Sequence, residues 1–205
     1  MYSIIFWPFL KLRAWFRFRR YHYFWHKVGR SAGNGLWLDL GGGAGSYFLN
    51  AIQNSKTVIL LDVTPQILTM ARRVNLQLQC VVADGEHLPF KDGAFACIFC
   101  NSVIEHVANP DLLAQEIQRT GYRFFVQTPN GDFPLETHST IPIPFYQALP
   151  VRLKYFLCKL LGASFNYIES VTYVKESQLR QLFPSAQIEY ERWFDQVKSF
   201  YVYRK

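Results

Sequence analysis

Apolar residues along this chain bunch into short runs that stop at an acid, an amide or a glycine. Residues 36–38 are apolar and are closed by Asp39, and residues 57–61 are apolar and end at Asp62. Residues 78–82 lead into Ala83-Asp84-Gly85, residues 96–100 into Asn101, and residues 122–127 into Thr128-Pro129-Asn130. Runs this short and this rich in branched and aromatic side chains read as strands buried on both faces. Between them the period changes to that of a helix. Tyr47, Phe48, Ala51 and Ile52 share one face; Thr64-Pro65 opens a second helix and Asn109-Pro110 a third, with Leu112, Leu113 and Ile117 inward. Two late runs, 187–193 and 199–203, read as an antiparallel hairpin. The pattern predicts an α/β chain, a doubly wound Rossmann-like sheet of seven strands with helices on both faces and the last two strands antiparallel. Residues 151–176 read as mixed helix and loop, with Leu153, Phe156, Leu157, Leu160 and Leu161 at helical spacing.

The turn after the first strand carries the first chemical signal. From Asp39 the chain reads D-x-G-x-G-x-G, with Gly41, Gly43 and Gly45 in the pattern and Gly42 between. Strand, glycine turn, helix is a nucleotide-binding unit. The dinucleotide fingerprint G-x-G-x-x-G fails here, because Ser46 stands where its third glycine belongs. Asp62 follows Gly41 by 21 residues at the end of the second strand, where a carboxylate accepts ribose hydroxyls.

These motifs resemble the class I S-adenosylmethionine-dependent methyltransferases. The stretch 83–92, Ala-Asp-Gly-Glu-His-Leu-Pro-Phe-Lys-Asp, is similar to that family's linker after the third strand. The stretch 101–107, Asn-Ser-Val-Ile-Glu-His-Val, is similar to its quinone-biosynthesis subgroup. The resemblance implies an S-adenosylmethionine site built from Asp39, Gly41, Gly42, Gly43, Gly45, Asp62, Val63, Asp84, Gly85 and Asn101. In it the glycine loop wraps the amino-acid half, Asp62 takes the ribose and Asp84 the adenine amino group. The link after the fourth helix is trimmed to Arg119-Thr120-Gly121, where the family carries a longer glycine-rich turn. Base-modifying amine methyltransferases place a Pro-Pro-aromatic motif after the fourth strand. This chain lacks it, which argues against a nucleic-acid acceptor.

Residues 131–151 form a long proline-rich connection at the carboxyl edge of the sheet, where ligands bind in such folds. A lid over 131–176 and a small, lipophilic or aromatic acceptor follow from its apolar composition. Glu136 and His138 are its polar groups. His138 is the candidate base for O-methylation with Glu136 orienting it, or the pair fixes the lid's own backbone. His106 is a second candidate, with a structural role as its alternative.

The formal charge of +7 belongs to one segment. Residues 1–30 hold seven Lys/Arg and no acid, while the remaining 15 basic and 15 acidic residues cancel. That arm, set off from a domain over 31–205, also carries 11 of the 35 aromatic residues. Its apolar runs are too short to span a bilayer, and the order of its features is wrong for a secretory signal. Trp15, Phe18, His22 and Trp25 fall on one helical face and Arg13, Arg17 and Arg20 on another. The arm either caps the pocket or lies against a membrane. The alternative to an enzyme is a non-catalytic cofactor-binding protein that works through this arm, and RNA methylation through its basic residues is a third reading. Four cysteines fit a reducing, cytoplasmic setting. Cys97 and Cys100 lie on one strand with side chains to opposite faces, so no metal site is expected.

Overall fold

The computed structural model describes residues 3–44, 57–75, 77–134, 145–161, 165 and 170–205, with the backbone alone for 3–14, 147 and 161. Seven strands form one sheet: β1 (Trp37–Leu40), β2 (Val58–Asp62), β3 (Gln79–Val82), β4 (Cys97–Asn101), β5 (Phe124–Pro129), β6 (Gln187–Trp193) and β7 (Gln196–Arg204). Their order is β3-β2-β1-β4-β5-β7-β6. The first five strands are parallel, β7 runs antiparallel to β5, and β6 pairs with β7. The expected sheet and its terminal hairpin are therefore present, with bounds displaced by a residue or two. β7 begins three residues before the expected run, because Phe194 and Asp195, both at positive φ, close a two-residue turn.

Helices cover both faces. On one face α3 (Pro110–Thr120) and α5 (Glu176–Leu182) pack Leu113, Ile117, Leu179 and Phe183 over Leu38, Leu40, Ile98 and Val126. Asn109 caps α3 by accepting hydrogen bonds from the backbone of Asp111 and Leu112, with Pro110 at its first position. On the other face α1 (Ser3–Lys27) and α2 (Pro65–Val74) pack Phe24, Leu68 and Ala71 over Trp37, Leu60, Phe99 and Phe125. Cys97 points into this second core and Cys100 into the first. The expected helix over residues 47–52 lies outside the described residues.

The arm does not present the face its aromatic spacing suggests. Trp15, Phe18 and His22 are exposed, and the residues that meet the sheet are Phe16, Arg20, Tyr23, Phe24 and Val28. The reason is a buried ionic network that outweighs aromatic periodicity. Arg20 donates to Glu191 (3.1 and 3.2 Å), to Oε1 of Gln127 (3.2 Å) and to Ser199 (3.3 Å). Lys198, 2% exposed, also reaches Glu191 at 3.2 Å and lies 4.2 Å from the Phe16 ring centre. Burial alone would push the Glu191 carboxyl up, but Arg20 and Lys198 outweigh it and hold it below its ordinary value. Lower on the helix, Lys27 pairs with Glu189 at 2.8 Å, and Tyr23 and Tyr203 donate to the same carboxylate.

These contacts fix the direction of α1. Phe16 meets Trp193 at the far end of β6, and Phe24 meets Trp37 at the start of β1. The helix therefore runs from the carboxyl edge of the parallel strands to their amino edge. Residues 3–15, about 20 Å of helix at 1.5 Å per residue, precede the Phe16–Trp193 contact. The helical spacing noted in 151–161 is that of α4 (Val151–Leu161), where Leu153, Phe156 and Leu160 are exposed and Lys154 and Cys158 are buried.

Candidate active site

Four adjacent strands, β3-β2-β1-β4, deliver their carboxyl ends to one edge. Parallel pairing sets Leu40 beside both Leu61 and Cys100, and Asp62 beside Val82. The loop from Gly41, the carboxylate of Asp62, Asp84 two residues beyond β3, and Asn101 therefore share that edge. The sheet brings together Asp39, Gly41, Gly42, Gly43, Asp62, Val63, Asp84, Gly85 and Asn101 from the expected set. Gly45, Glu136 and His138 lie outside the described residues.

The turn after β1 is shaped by close approach. Gly41 has φ +66°, and a Cβ there would stand 2.4 Å from Cγ2 of Val103. A Cβ on Gly42 would stand 2.3 Å from Oδ2 of Asp39. Side chains at these two positions would collide with the wall behind the loop and with the carboxylate it shelters. Gly43, also at positive φ, has open space where its Cβ would be.

Asp39 is 3% exposed, and burial followed by repulsion from Asp62 pushes its carboxyl from 3.8 up to about 7. Asp62 accepts from the backbone N of Thr64 through Oδ1 at 2.9 Å, and among the described residues its Oδ2 has no hydrogen-bond partner. Asp84 accepts from Glu86 N through Oδ1 at 2.9 Å, a turn that leaves the rest of its exposed carboxylate to solvent. The Oδ1 of Asn101 is buried with no partner in the described structure. Val63 is exposed beside Asp62, while Gly85 lets α3 approach, since a Cβ there would meet Leu113 at 2.9 Å. A raised buried carboxyl, a half-used carboxylate and an unpartnered amide oxygen on one edge suit a ligand with hydroxyls and a cationic group.

Beyond β4 the chain turns hard. Ser102 has φ +57°, a left-handed value that costs a non-glycine residue on the order of 1 kcal/mol. It is held there by Ser102 N donating to the Gln127 carbonyl (2.9 Å) and Ser102 Oγ donating to Gln127 Oε1 (2.8 Å). Glu105 is fully buried, accepting from Thr128 Oγ1 at 3.0 Å and, through its carbonyl, from Thr172 N at 2.8 Å. His106 is half-buried in the same turn, its backbone N donating to Val103 O at 2.8 Å.

Several residues of this region escape a reading by motif. Gln127 joins the strained turn to Arg20 of α1. Arg119 clamps the linker after β3, donating to the carbonyls of Leu88 and Phe90, to Asp92 and to Glu116, which in turn accepts from Leu88 N. Glu86 Oε1 ties the same linker to the start of α3 through Ala108 N and Asn109 N. In sequence Gln127 is only a polar residue interrupting an apolar run, and Glu86 and Arg119 stand in linker stretches whose spacing names no partner.

With the geometry in place, the likeness to known proteins is informative. Residues 38–121 match the methyltransferase domain family. The chain is 29% identical over 150 residues to the ubiquinone/menaquinone biosynthesis C-methyltransferase UbiE of Haemophilus ducreyi, covering 68% of this chain and 56% of that protein. It thus spans little more than half of that curated relative. In fold it is similar to an S-adenosylmethionine-dependent methyltransferase from Mesorhizobium loti, with TM-score 0.61, 16% identity, and coverage of 88% of this chain and 96% of that one. It is likewise similar to phosphoethanolamine N-methyltransferase 2 of Haemonchus contortus, solved in complex with S-adenosyl-L-methionine, with TM-score 0.59, 16% identity, and coverage of 84% and 38%. Residues 38–121 thus carry a methyltransferase domain, and the sheet order, glycine turn and edge carboxylates resemble those of the class I S-adenosylmethionine-dependent methyltransferases.

Proposed function

We propose that the protein transfers the methyl group of S-adenosylmethionine to a small, lipophilic or aromatic acceptor, by O-methylation. The observation that carries the cofactor reading is the edge of four strands on which Asp39, Asp62, Asp84 and Asn101 converge. The residues fit the group. Asp62 Oδ2 is available to ribose hydroxyls and the exposed Asp84 to an adenine amino group. The raised Asp39 carboxyl, against which Gly42 packs, suits the ammonium end of the amino-acid half. The cofactor supplies a methyl group activated by sulfonium charge. The chain's part is to bind, orient and exclude water, and most of the rate gain lies in that positioning.

An acceptor hydroxyl needs its proton removed. His138, oriented by Glu136, is the base of this proposal, with His106 the alternative within the turn after β4. The lid over 131–176 closes on a lipophilic acceptor, and its described part contributes Phe133, Pro134 and Tyr146 to an apolar cleft. The arm over 1–30 is a peripheral membrane contact in this reading. Transfer to carbon is a second reading, favoured by the C-methyltransferase named in the Haemophilus ducreyi relative.

Asp62→Ala tests the cofactor site. Loss of charge-assisted hydrogen bonds to ribose lowers S-adenosylhomocysteine affinity by about 1.5–3 kcal/mol per bond as a ceiling. Titration calorimetry with unchanged affinity removes the assignment. His138→Ala tests the base. Turnover on a phenolic acceptor falls by roughly 10²–10⁴-fold with cofactor affinity intact, and near-normal turnover at saturating acceptor removes that role.

A further inference from the structure

We propose that the outer face of α4, together with the tip of the β6–β7 hairpin, docks on the surface of an anionic lipid bilayer. α4 turns Lys154 and Cys158 inward, where Cys158 Sγ lies 3.1 Å from Tyr146 Oη and Lys154 Nζ 5.6 Å from the Tyr146 ring centre. Its outward face is the reverse of what water selects. Leu153, Phe156 and Leu160 recur at i, i+3 and i+7 and are 42%, 59% and 56% exposed. A helix facing water carries polar residues at such positions. Alongside them run Arg152 and Lys159, also i and i+7, both exposed and neither paired with a carboxylate among the described residues. The helix contains no acid.

The hairpin tip adds Phe194, 84% exposed, beside Asp195. A chain of ring contacts links the tip to the helix. Tyr146, which α4 packs on, lines one cleft with Phe133; the Phe133 ring lies 6.0 Å from Trp193, and Trp193 adjoins Phe194. Trp193 also meets Phe16, at the level where α1 leaves the carboxyl edge with Trp15 and Phe18 exposed and Arg19 stacked over Trp15.

Lipid fits this face better than another protein does. An apolar ridge with the exposed cations Arg152 and Lys159 alongside it matches the two layers of an anionic interface, acyl chains below and negative headgroups above. The face adjoins the carboxyl edge, so a docked molecule would take a lipophilic acceptor directly from the bilayer. The contact extends well beyond residues 1–30, to a helix more than a hundred residues further along the chain.

Co-sedimentation of the full chain with phosphatidylcholine vesicles, with and without phosphatidylglycerol, tests this. Neither cofactor nor acceptor is present, so the result is separate from that for methyl transfer. The protein should bind the anionic vesicles and release as salt rises. Phe156→Ser with Leu160→Ser should lower partitioning by roughly tenfold or more. Arg152→Glu with Lys159→Glu should lower it by at least about fivefold per charge, and only on anionic vesicles. All four side chains are exposed, so both pairs should fold, which circular dichroism checks. Absence of vesicle binding overturns the proposal, as does binding by both paired variants equal to that of the parent. If the apolar pair instead converts a dimer to a monomer in sedimentation velocity and leaves vesicle binding intact, the face joins two copies of the chain and the proposal fails.

Discussion

Asp39 sets stability against ligand binding, and Asp39→Asn separates the two. A carboxyl raised from 3.8 to about 7 holds its proton more tightly in the native than in the unfolded chain. Between those two values the native state binds more protons, so this group's contribution falls as pH rises from about 4 to 7 and is level above. Ionising Asp39 in the empty protein therefore costs about 4 kcal/mol, taking 1.36 kcal/mol for each pH unit between the two values. Asparagine removes the charge but leaves a buried amide, whose desolvation takes back about 1–3 kcal/mol. The variant should thus be about 1–3 kcal/mol more stable than the parent at pH 8, with the difference vanishing or reversing near pH 4. Urea unfolding of both proteins, without cofactor, across this range reads the difference directly, since groups common to both cancel. Calorimetry at pH 8 should then show the variant binding S-adenosylhomocysteine at least tenfold more weakly, about 1.4 kcal/mol. A stability difference independent of pH would refute the raised carboxyl. Tighter or equal cofactor binding by Asp39→Asn would refute the idea that the ligand's cation offsets the buried charge.

Gly41→Ala meets two penalties, a left-handed φ and a Cβ 2.4 Å from Val103; thermal unfolding should show a loss of about 1–2 kcal/mol or more, and an unchanged midpoint would count against the tight turn. Arg20→Met leaves Glu191 with Lys198 and the Ser199 hydroxyl and should destabilise by about 3–5 kcal/mol in urea unfolding. A loss below about 1 kcal/mol would mean that Arg20 is dispensable to the docking of α1.

The strand pattern carried most of the fold. Apolar runs ending at Asp39, Asp62 and Asn101 fixed which residues would stand at the carboxyl edge, because a parallel sheet aligns strand ends whatever lies between them. Gly41 and Gly42 were visible for the same reason: few other residues are tolerated at such a turn. Helix faces were misread where charge was buried. Arg20 and Lys154 look like solvent-facing positions in a periodicity argument, yet each is inside, Arg20 against Glu191 and Lys154 over Tyr146. Periodicity ranks residues by hydrophobicity and cannot see a partner supplied by a distant strand. Gln127 illustrates the limit best. It interrupts an apolar strand and belongs to three segments at once, through Arg20, Ser102 and its own place in β5.

The ionic knot between α1 and the hairpin also bears on how the chain is made. Arg20 and Glu191 are 171 residues apart. At about 5–20 residues per second of synthesis, Arg20 emerges roughly ten to thirty seconds before the carboxylate that neutralises it. Until then α1 can meet Gln127 of β5 but neither Glu191 nor Glu189 of β6, the carboxylates that pair with its cations. A helix made before the parallel strands thus settles after them, and closure over so long a loop is intrinsically slow. During that interval a basic, aromatic segment stands free on the nascent chain, open to any acidic surface near the ribosome. Refolding followed by tryptophan fluorescence should show α1 joining the sheet in a late phase, and Glu191→Gln should alter that phase more than the earlier collapse of the parallel strands.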